Sequence, residues 1–434
     1  MKKKTYGCED LQGSIYFAPN VLRHCCQRFF VNGKMQGDVE IMKINSDKDL
    51  DAQKILNEKK KIINNLNKNI PTPCDGCPRI KLKHWKDNDQ LKINKISMEA
   101  HSNCNARCSY CSEMFYGGLN PNYDLEKMLD KFRNEKIFED DVAITWGGGE
   151  PVLLKNFDRI FKKFIESKYP KFNDIRVYSN SIRYNKLIHQ YLDEKKIILT
   201  TSTDAGTQET YEKVRGVKKG FLNIFENLKK YNQNKNGNII IKYILTSENF
   251  SNQEIDSFTQ LVAKHELTNC NFEISTDYKF EELDLIKSLS IIYFYNALRN
   301  IGAEFIHFDD HVRKRLYFTI QKNIKSVDID KNNSFENLRK FFNQEIIVWG
   351  TGAYASEIIN NSFLFKRSKV AFFVDNEKRT KENSFLNCDI KNPETLLNTN
   401  NPIFIASSTY WNEIYKRILK LGVNKKRVIN TLVV

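Results

Sequence analysis

Between about residues 93 and 308, short apolar runs alternate with longer amphipathic stretches. Ile93-Asn94-Lys95-Ile96-Ser97-Met98 alternates apolar and polar positions and reads as a strand that ends in a loop. Further strand-like runs cover 142–146, 175–178, 197–200, 239–245 and 271–274, and segments of helical length such as 156–167 and 220–231 lie between them. Strands that alternate with helices predict parallel βαβ units. Six such units make an α/β fold, a partial (βα)6 barrel of the TIM type. In open parallel sheets, ligands sit at the carboxyl ends of the strands.

A fresh pattern begins near residue 345. The buried-type strand Ile346-Ile347-Val348-Trp349 runs into Gly350-Thr351-Gly352-Ala353-Tyr354-Ala355, then an amphipathic helix. A second strand over 370–374 ends at Asp375; a third covers 402–406, before a helix over about 411–421. Strand, glycine turn, helix, strand and acid in that order predict a small Rossmann-like parallel-sheet domain. Gly350, Gly352 and Asp375 are its candidate nucleotide-binding residues, with an alanine at the third glycine position. It is half of a dinucleotide fold, too short for a full NAD site; the competing reading is a docking domain with a degenerate loop. The expected organisation is a cysteine-rich module over 1–91, the barrel over 92–308, a helical linker over 309–344 and the Rossmann-like domain over 345–434. In the linker, 312–324 reads as helix and the polar run 328–334 as a hinge.

Composition narrows the class. A chain of 434 residues has room for two or three domains. No run approaches the roughly 18 apolar residues of a membrane span. The net charge of +15 is spread along the chain rather than clustered, which argues against a nucleic-acid footprint. The clearest basic run, Lys59-Lys60-Lys61, falls in a predicted helix and reads as a solvated face. Ten cysteines in 434 residues are far from a disulfide scaffold. The start Met1-Lys2-Lys3-Lys4 is followed by no apolar stretch, so no signal peptide is expected. The expectation is a cytoplasmic protein with reduced, metal-binding cysteines.

The densest chemistry is Cys104-Asn105-Ala106-Arg107-Cys108-Ser109-Tyr110-Cys111, just after the first strand. Three thiolates in eight residues point to metal. A cubane [4Fe–4S] cluster has four irons, so three protein ligands leave one iron open to something else. A zinc site would want a fourth ligand, and His101 is the nearest histidine. The second strand runs into Gly147-Gly148-Gly149-Glu150-Pro151, where glycines permit close backbone approach and Glu150 offers a carboxylate to an ammonium group. The third ends in Ser179-Asn180-Ser181, suited to sugar hydroxyls or to helix capping. The fourth ends in Thr203-Asp204-Ala205-Gly206-Thr207, followed by Tyr211-Glu212-Lys213-Val214-Arg215-Gly216. Arg215 suits bidentate binding of a carboxylate, or simply a helix C-terminus with its glycine cap.

Taken together, Cys-x3-Cys-x2-Cys with an aromatic before the last cysteine, Gly-Gly-Glu-Pro after the second strand, and Asp-Ala-Gly-Thr…Tyr…Val-Arg-Gly after the fourth resemble the radical S-adenosylmethionine (radical SAM) superfamily over roughly residues 92–280. The resemblance implies that Cys104, Cys108 and Cys111 hold a [4Fe–4S] cluster whose open iron takes the amino and carboxylate groups of S-adenosylmethionine. It places Gly148, Gly149 and Glu150 at the amino group, Ser179 and Asn180 at the ribose, Arg215 at the carboxylate and Tyr110 beside the adenine. The activity it implies is reductive formation of a 5′-deoxyadenosyl radical that takes a hydrogen atom from a substrate, with an electron donor such as flavodoxin or ferredoxin.

Five more cysteines precede the barrel: Cys8, Cys25, Cys26, Cys74 and Cys77. Cys74-Asp75-Gly76-Cys77-Pro78 is a ligand-type pair, and adjacent Cys25 and Cys26 suggest that one of the two points into a shared site. A four-cysteine zinc site and an auxiliary iron–sulfur cluster both fit. The pattern resembles a truncated auxiliary-cluster module of the SPASM or twitch type, placed before the barrel rather than after it. Cys270 and Cys388 have no partner motif and read as buried small hydrophobes. The tail resembles nucleotide-binding domains of sugar-modifying transferases, which favours a sugar- or nucleotide-linked substrate, a small molecule or one held on a carrier. The alternatives are a peptide maturase, an RNA-modifying radical SAM enzyme and a non-catalytic zinc- or nucleotide-binding protein.

Overall fold

The computed structural model describes residues 4–87, 90–111, 118–279, 282–323, 327–375, 384–407 and 410–433. The chain divides into two units, one of residues 1–246 with 277–281 and one of 247–276 with 282–434. Among the described residues no helix is long and apolar enough to cross a membrane.

In the first unit the parallel strands Ile93–Met98, Phe138–Trp146, Lys171–Tyr178, Ile197–Ser202 and Ile239–Leu245 lie side by side in chain order. Their registers pair Ile96 with Ile144, Val177 with both Trp146 and Leu199, and Thr200 with Ile240. The helices Leu125–Asn134, Phe157–Ile165, Lys186–Asp193 and Phe221–Tyr231 form the crossovers. Phe157, Ile160, Phe161 and Phe164 recur at helical spacing on one buried face. Three of them meet Trp146 edge-on, with ring centroids 5.9, 5.2 and 5.3 Å away. That packing fixes the end of the second strand, from which the Gly147–Glu150 turn departs.

The sheet also continues across residue 92, where the sequence suggests a boundary. Ser14–Phe17 runs parallel to Ile93–Met98, with Ser14 opposite Lys95 and Phe17 opposite Met98. Val21–Arg23 adds antiparallel to it, and Glu40–Lys43 antiparallel to that. These strands are only three or four residues long and carry no periodic signal of their own. Helix Ala52–Asn67 packs on this edge. Here one expectation is corrected: Lys59 is not on a solvated face but fully buried. It shares a stripe with Ile55 and Ile63, four residues to either side, so the inward face of the helix carries it in.

In the second unit, Asn271–Thr276 and Phe305–Phe308 pair in parallel, with helices Asn252–Lys264, Leu285–Asn300 and Asp310–Lys322. The expected helix over 312–324 forms through Lys322; Ile324 lies outside the described residues. The polar run 328–334, expected as a hinge, carries hydrogen bonds to its neighbours. The Ser334 carbonyl accepts from Asn296 Nδ2 at 2.8 Å, and Arg339 Nη1 donates to the carbonyls of Ile329 and Asn332. The tail forms a five-stranded sheet around Glu345–Trp349, flanked in parallel by Lys369–Val374 on one side and Ile403–Ile405 on the other. Cys388–Lys391 extends it in parallel, and Ser384–Phe385 closes the edge antiparallel. Thr431 Oγ1 donates to Asn296 Oδ1 at 2.7 Å in the interior, tying the chain's end to helix Leu285–Asn300.

Candidate functional site

The loop that carries Cys104, Cys108 and Cys111 is clasped from two sides. On one side the turn after the second strand grips it: Gly149 N donates to His101 O and Glu150 N to Asn103 O, each at 2.8 Å. A Cβ on Gly149 would stand 2.2 Å from Asn103 O, and one on Gly148, at φ +95°, would stand 2.8 Å from His101 O and 2.9 Å from Glu99 Cα. Glycine is required here because two stretches of backbone touch. The Gly149 N–H goes to the cysteine loop, so this glycine acts on a ligand through the loop it positions. On the other side, Arg107 N donates to Arg215 O and Ser109 N to Val214 O, both at 2.8 Å. Gly216, the left-handed cap of helix Gln208–Arg215, lets Arg107 approach its Cα.

The loop is thereby braced, with Ala106, Cys108, Tyr110 and Val214 in one buried cluster against which Cys104 and Cys111 pack. Cys104 Sγ accepts from Ala106 N at 3.4 Å. Burial pushes the Cys104 and Cys108 thiols up, while the Arg215 charge favours their thiolates.

Glu150 is fully buried, which raises its carboxyl above the usual range. Two hydrogen bonds oppose that rise: Oε1 accepts from Ser179 Oγ at 2.8 Å and Oε2 from Asn180 N at 2.7 Å. The Asn180 amide is engaged as well, with Nδ2 on Asn105 Oδ1 at 2.6 Å and Oδ1 accepting from Ile182 N. Ser179 and Asn180, expected at a ribose, thus hold the Glu150 carboxylate and the cysteine loop.

Arg215 and Tyr110 meet Asp204, a residue the motif contained but the sequence did not single out. Asp204 is wholly buried; its Oδ2 takes Arg215 Nη1 at 2.8 Å and the Tyr110 hydroxyl at 2.5 Å, and its Oδ1 accepts from Ile244 N at 2.7 Å. Arg215 Nη1 also contacts the Tyr110 oxygen. Arg215 Nε is buried and, among the described residues, has no hydrogen-bond partner. A buried guanidinium donor facing Cys104, Cys108 and Glu150 fits a zwitterionic ligand with one ammonium and one carboxylate. The available signal for Asp204 was an acid at a strand's carboxyl end, next to the helix that carries Arg215.

Cys8, Cys25, Cys74 and Cys77 line a single recess with Asp10, Leu11, His24 and Val39, and Cys26 is not among its walls. Among the described residues, no three His, Cys, Asp or Glu side chains close on one point as a single ion would require. In the tail, Gly350 has φ +116°, and a Cβ there would lie 2.9 Å from Ala406 O. Gly352 caps helix Ala353–Asn361, and a Cβ there would meet none of the described residues within 4 Å. Asp375 Oδ2 accepts from Thr351 N at 3.0 Å and from the Thr351 hydroxyl, so it closes the glycine turn.

Residues 98–258 match the family described as the Radical SAM superfamily. Residues 342–429 match the family described as C2185-like, N-terminal. The chain thus carries a radical SAM domain, an iron–sulfur enzyme module that uses a [4Fe–4S] cluster and S-adenosylmethionine. No curated protein matches it. Similar solved structures include anSMEcpe with bound AdoMet, at 17% identity and a TM-score of 0.38, covering 53% of this chain and 66% of that one. SuiB of Streptococcus suis bound to the precursor peptide SuiA is similar at 13% identity and a TM-score of 0.40, covering 66% and 59%. The FeFe-hydrogenase maturase HydG of Carboxydothermus hydrogenoformans is similar at 17% identity and a TM-score of 0.36, covering 51% and 56%. In each comparison this chain spans less than two thirds of the other protein's length.

Proposed function

We propose that the chain is a radical SAM enzyme that takes a hydrogen atom from a sugar-linked or nucleotide-linked substrate. The observation that carries the chemistry is the joint bracing of the three thiols, the buried Glu150 carboxylate and the free Nε of Arg215 around one loop. When bound, the cluster and S-adenosylmethionine supply 5′-deoxyadenosyl-radical chemistry. The protein's part is positioning. Cys104, Cys108 and Cys111 offer three thiolates and leave a coordination position to the ligand. Glu150, kept as an acceptor by Ser179 and the Asn180 N–H, pairs with an ammonium. Arg215, oriented by Asp204 and Tyr110, donates Nε to a carboxylate. Pre-set donors and acceptors of this kind cost nothing to organise when the ligand arrives. A small electron carrier such as flavodoxin or ferredoxin completes the reading.

The substrate reading rests on the tail. Strands flank Glu345–Trp349 on both sides, and the glycine turn at its end leads to a helix N-terminus, an arrangement that supports an anionic ligand there. A Cβ on Gly352 would meet none of the described residues within 4 Å, which supports close approach of such a ligand.

The chemistry is tested by anaerobic reconstitution followed by reduction with S-adenosylmethionine present. The parent should form 5′-deoxyadenosine and Cys104→Ala should not; equal cleavage by the variant refutes the assignment. The substrate class is tested by calorimetry of the full chain with a panel of nucleotide-sugars. Binding that Gly352→Val abolishes supports it; no binding by any member, or binding that this variant leaves intact, removes it.

A further inference from the structure

Lys59 is the least expected buried group in the chain. Its side chain is fully enclosed, and its ammonium donates to the carbonyls of Asp10 at 3.0 Å and Leu11 at 3.5 Å. The acidic groups facing it are Asp10 and the thiols of Cys8, Cys25 and Cys74. An ammonium does not remain in an apolar interior without negative charge nearby. The structure supplies one carboxylate and a set of cysteines that are neutral as thiols and anionic as metal ligands.

Those cysteines share the recess with a second unsatisfied group. His24, on the recess wall, is 1% exposed, and among the described residues neither of its ring nitrogens has a hydrogen-bond partner. A neutral imidazole carries one N–H. A buried imidazole with no partner marks a place where an acceptor is missing. Inorganic sulfide or a metal-bound thiolate is such an acceptor. The four thiols line one recess, and four cysteines can serve an iron–sulfur cluster or a zinc ion.

We infer that Cys8, Cys25, Cys74 and Cys77 form a second iron–sulfur site, whose negative charge is matched by the Lys59 ammonium beneath it and whose sulfur accepts the His24 N–H, while Cys26 takes no part. Cys8 comes from the cap of helix Glu9–Gly13, Cys25 follows the strand Val21–Arg23, and Cys74 and Cys77 span the turn closed by Cys77 N on Cys74 O at 3.0 Å. Lys59, on helix Ala52–Asn67, faces Cys8, Cys25 and Cys74 and acts as a positioning and charge-setting residue rather than a ligand.

The test removes the first site and reads the second. In full-length protein carrying Cys104→Ala, Cys108→Ala and Cys111→Ala, anaerobic reconstitution with ferrous iron and sulfide should still load about four irons and four sulfides. Adding Cys25→Ser or Cys77→Ser should remove most of that iron; adding Cys26→Ser should leave it. Circular dichroism confirms that each variant is folded, and two ligand variants are used so that one misfolded protein leaves the test intact. Lys59→Met should move the midpoint potential, followed by EPR, to a more negative value, and Lys59→Arg should return it towards the parent. Failure of the triple variant to take up iron, uptake of zinc alone from a mixed-metal solution, or loss of iron in Cys26→Ser overturns the site. An unchanged potential in Lys59→Met overturns the charge match. These outcomes do not depend on 5′-deoxyadenosine formation, so they stand or fall apart from the reading of the first site.

Discussion

Alanine at Gly149 would set its Cβ 2.2 Å from the carbonyl oxygen of Asn103 and 2.8 Å from the Ser102 carbonyl carbon. Both neighbours are backbone, so neither can rotate away. Relieving the clash means separating the turn from the cysteine loop by about 1 Å, which is the scale of core overpacking at about 1–3 kcal/mol. The same displacement stretches the Gly149 N to His101 O and Glu150 N to Asn103 O bonds, each worth about 1 kcal/mol. Gly149→Ala should therefore cost about 2–4 kcal/mol in urea denaturation and should load less iron on the three loop cysteines. Gly147→Ala is the internal control. A Cβ there would meet only Tyr178 Cβ at 3.8 Å, an ordinary contact, and Gly147 has no positive φ. Stability within about 0.5 kcal/mol of the parent is expected for it, as for a substitution that disturbs no packed feature. If Gly149→Ala and Gly147→Ala unfold at the same urea concentration and bind equal iron, the clasp does not set the loop's position and the argument fails.

Asp204→Asn keeps the shape but removes the charge that faces Arg215. Breaking a buried pair in this way costs about 3–5 kcal/mol, measurable as a fall in urea midpoint, and should also weaken S-adenosylmethionine binding by calorimetry. Glu150→Gln should leave stability within about 1 kcal/mol but weaken S-adenosylmethionine at least about tenfold, because an amide cannot neutralise an ammonium; equal affinity would deny Glu150 that role. Trp146→Ala empties the space among Phe157, Phe161 and Phe164 and should destabilise by about 3–5 kcal/mol, read by thermal unfolding.

The sequence by itself determined whatever is encoded locally. The spacing Cys104–Cys108–Cys111, the glycine turn before Glu150, and the alternation of strands with helices follow from contiguous residues, and the structure places them at neighbouring strand ends. The first strand of the tail, its glycine turn and Asp375 were legible for the same reason. Tertiary structure alone decided which groups are partners. Ser179 and Asn180 look like free hydrogen-bonding residues until Glu150 is folded against them. Arg215 looks like a helix end until Asp204, eleven residues earlier, turns its carboxylate inward. The three short strands of the amino-terminal segment gain their identity only by pairing with Ile93–Met98 and with one another. Lys59 is the sharpest case. In the sequence it is the first of three lysines and reads as solvated; in the fold it faces Asp10 and three thiols, and the interior receives the charge. Periodicity reports which face of a helix is apolar, but what lies opposite that face is set by residues far away in the chain. Burial, and with it the cost or benefit of a charge, belongs to the packed whole.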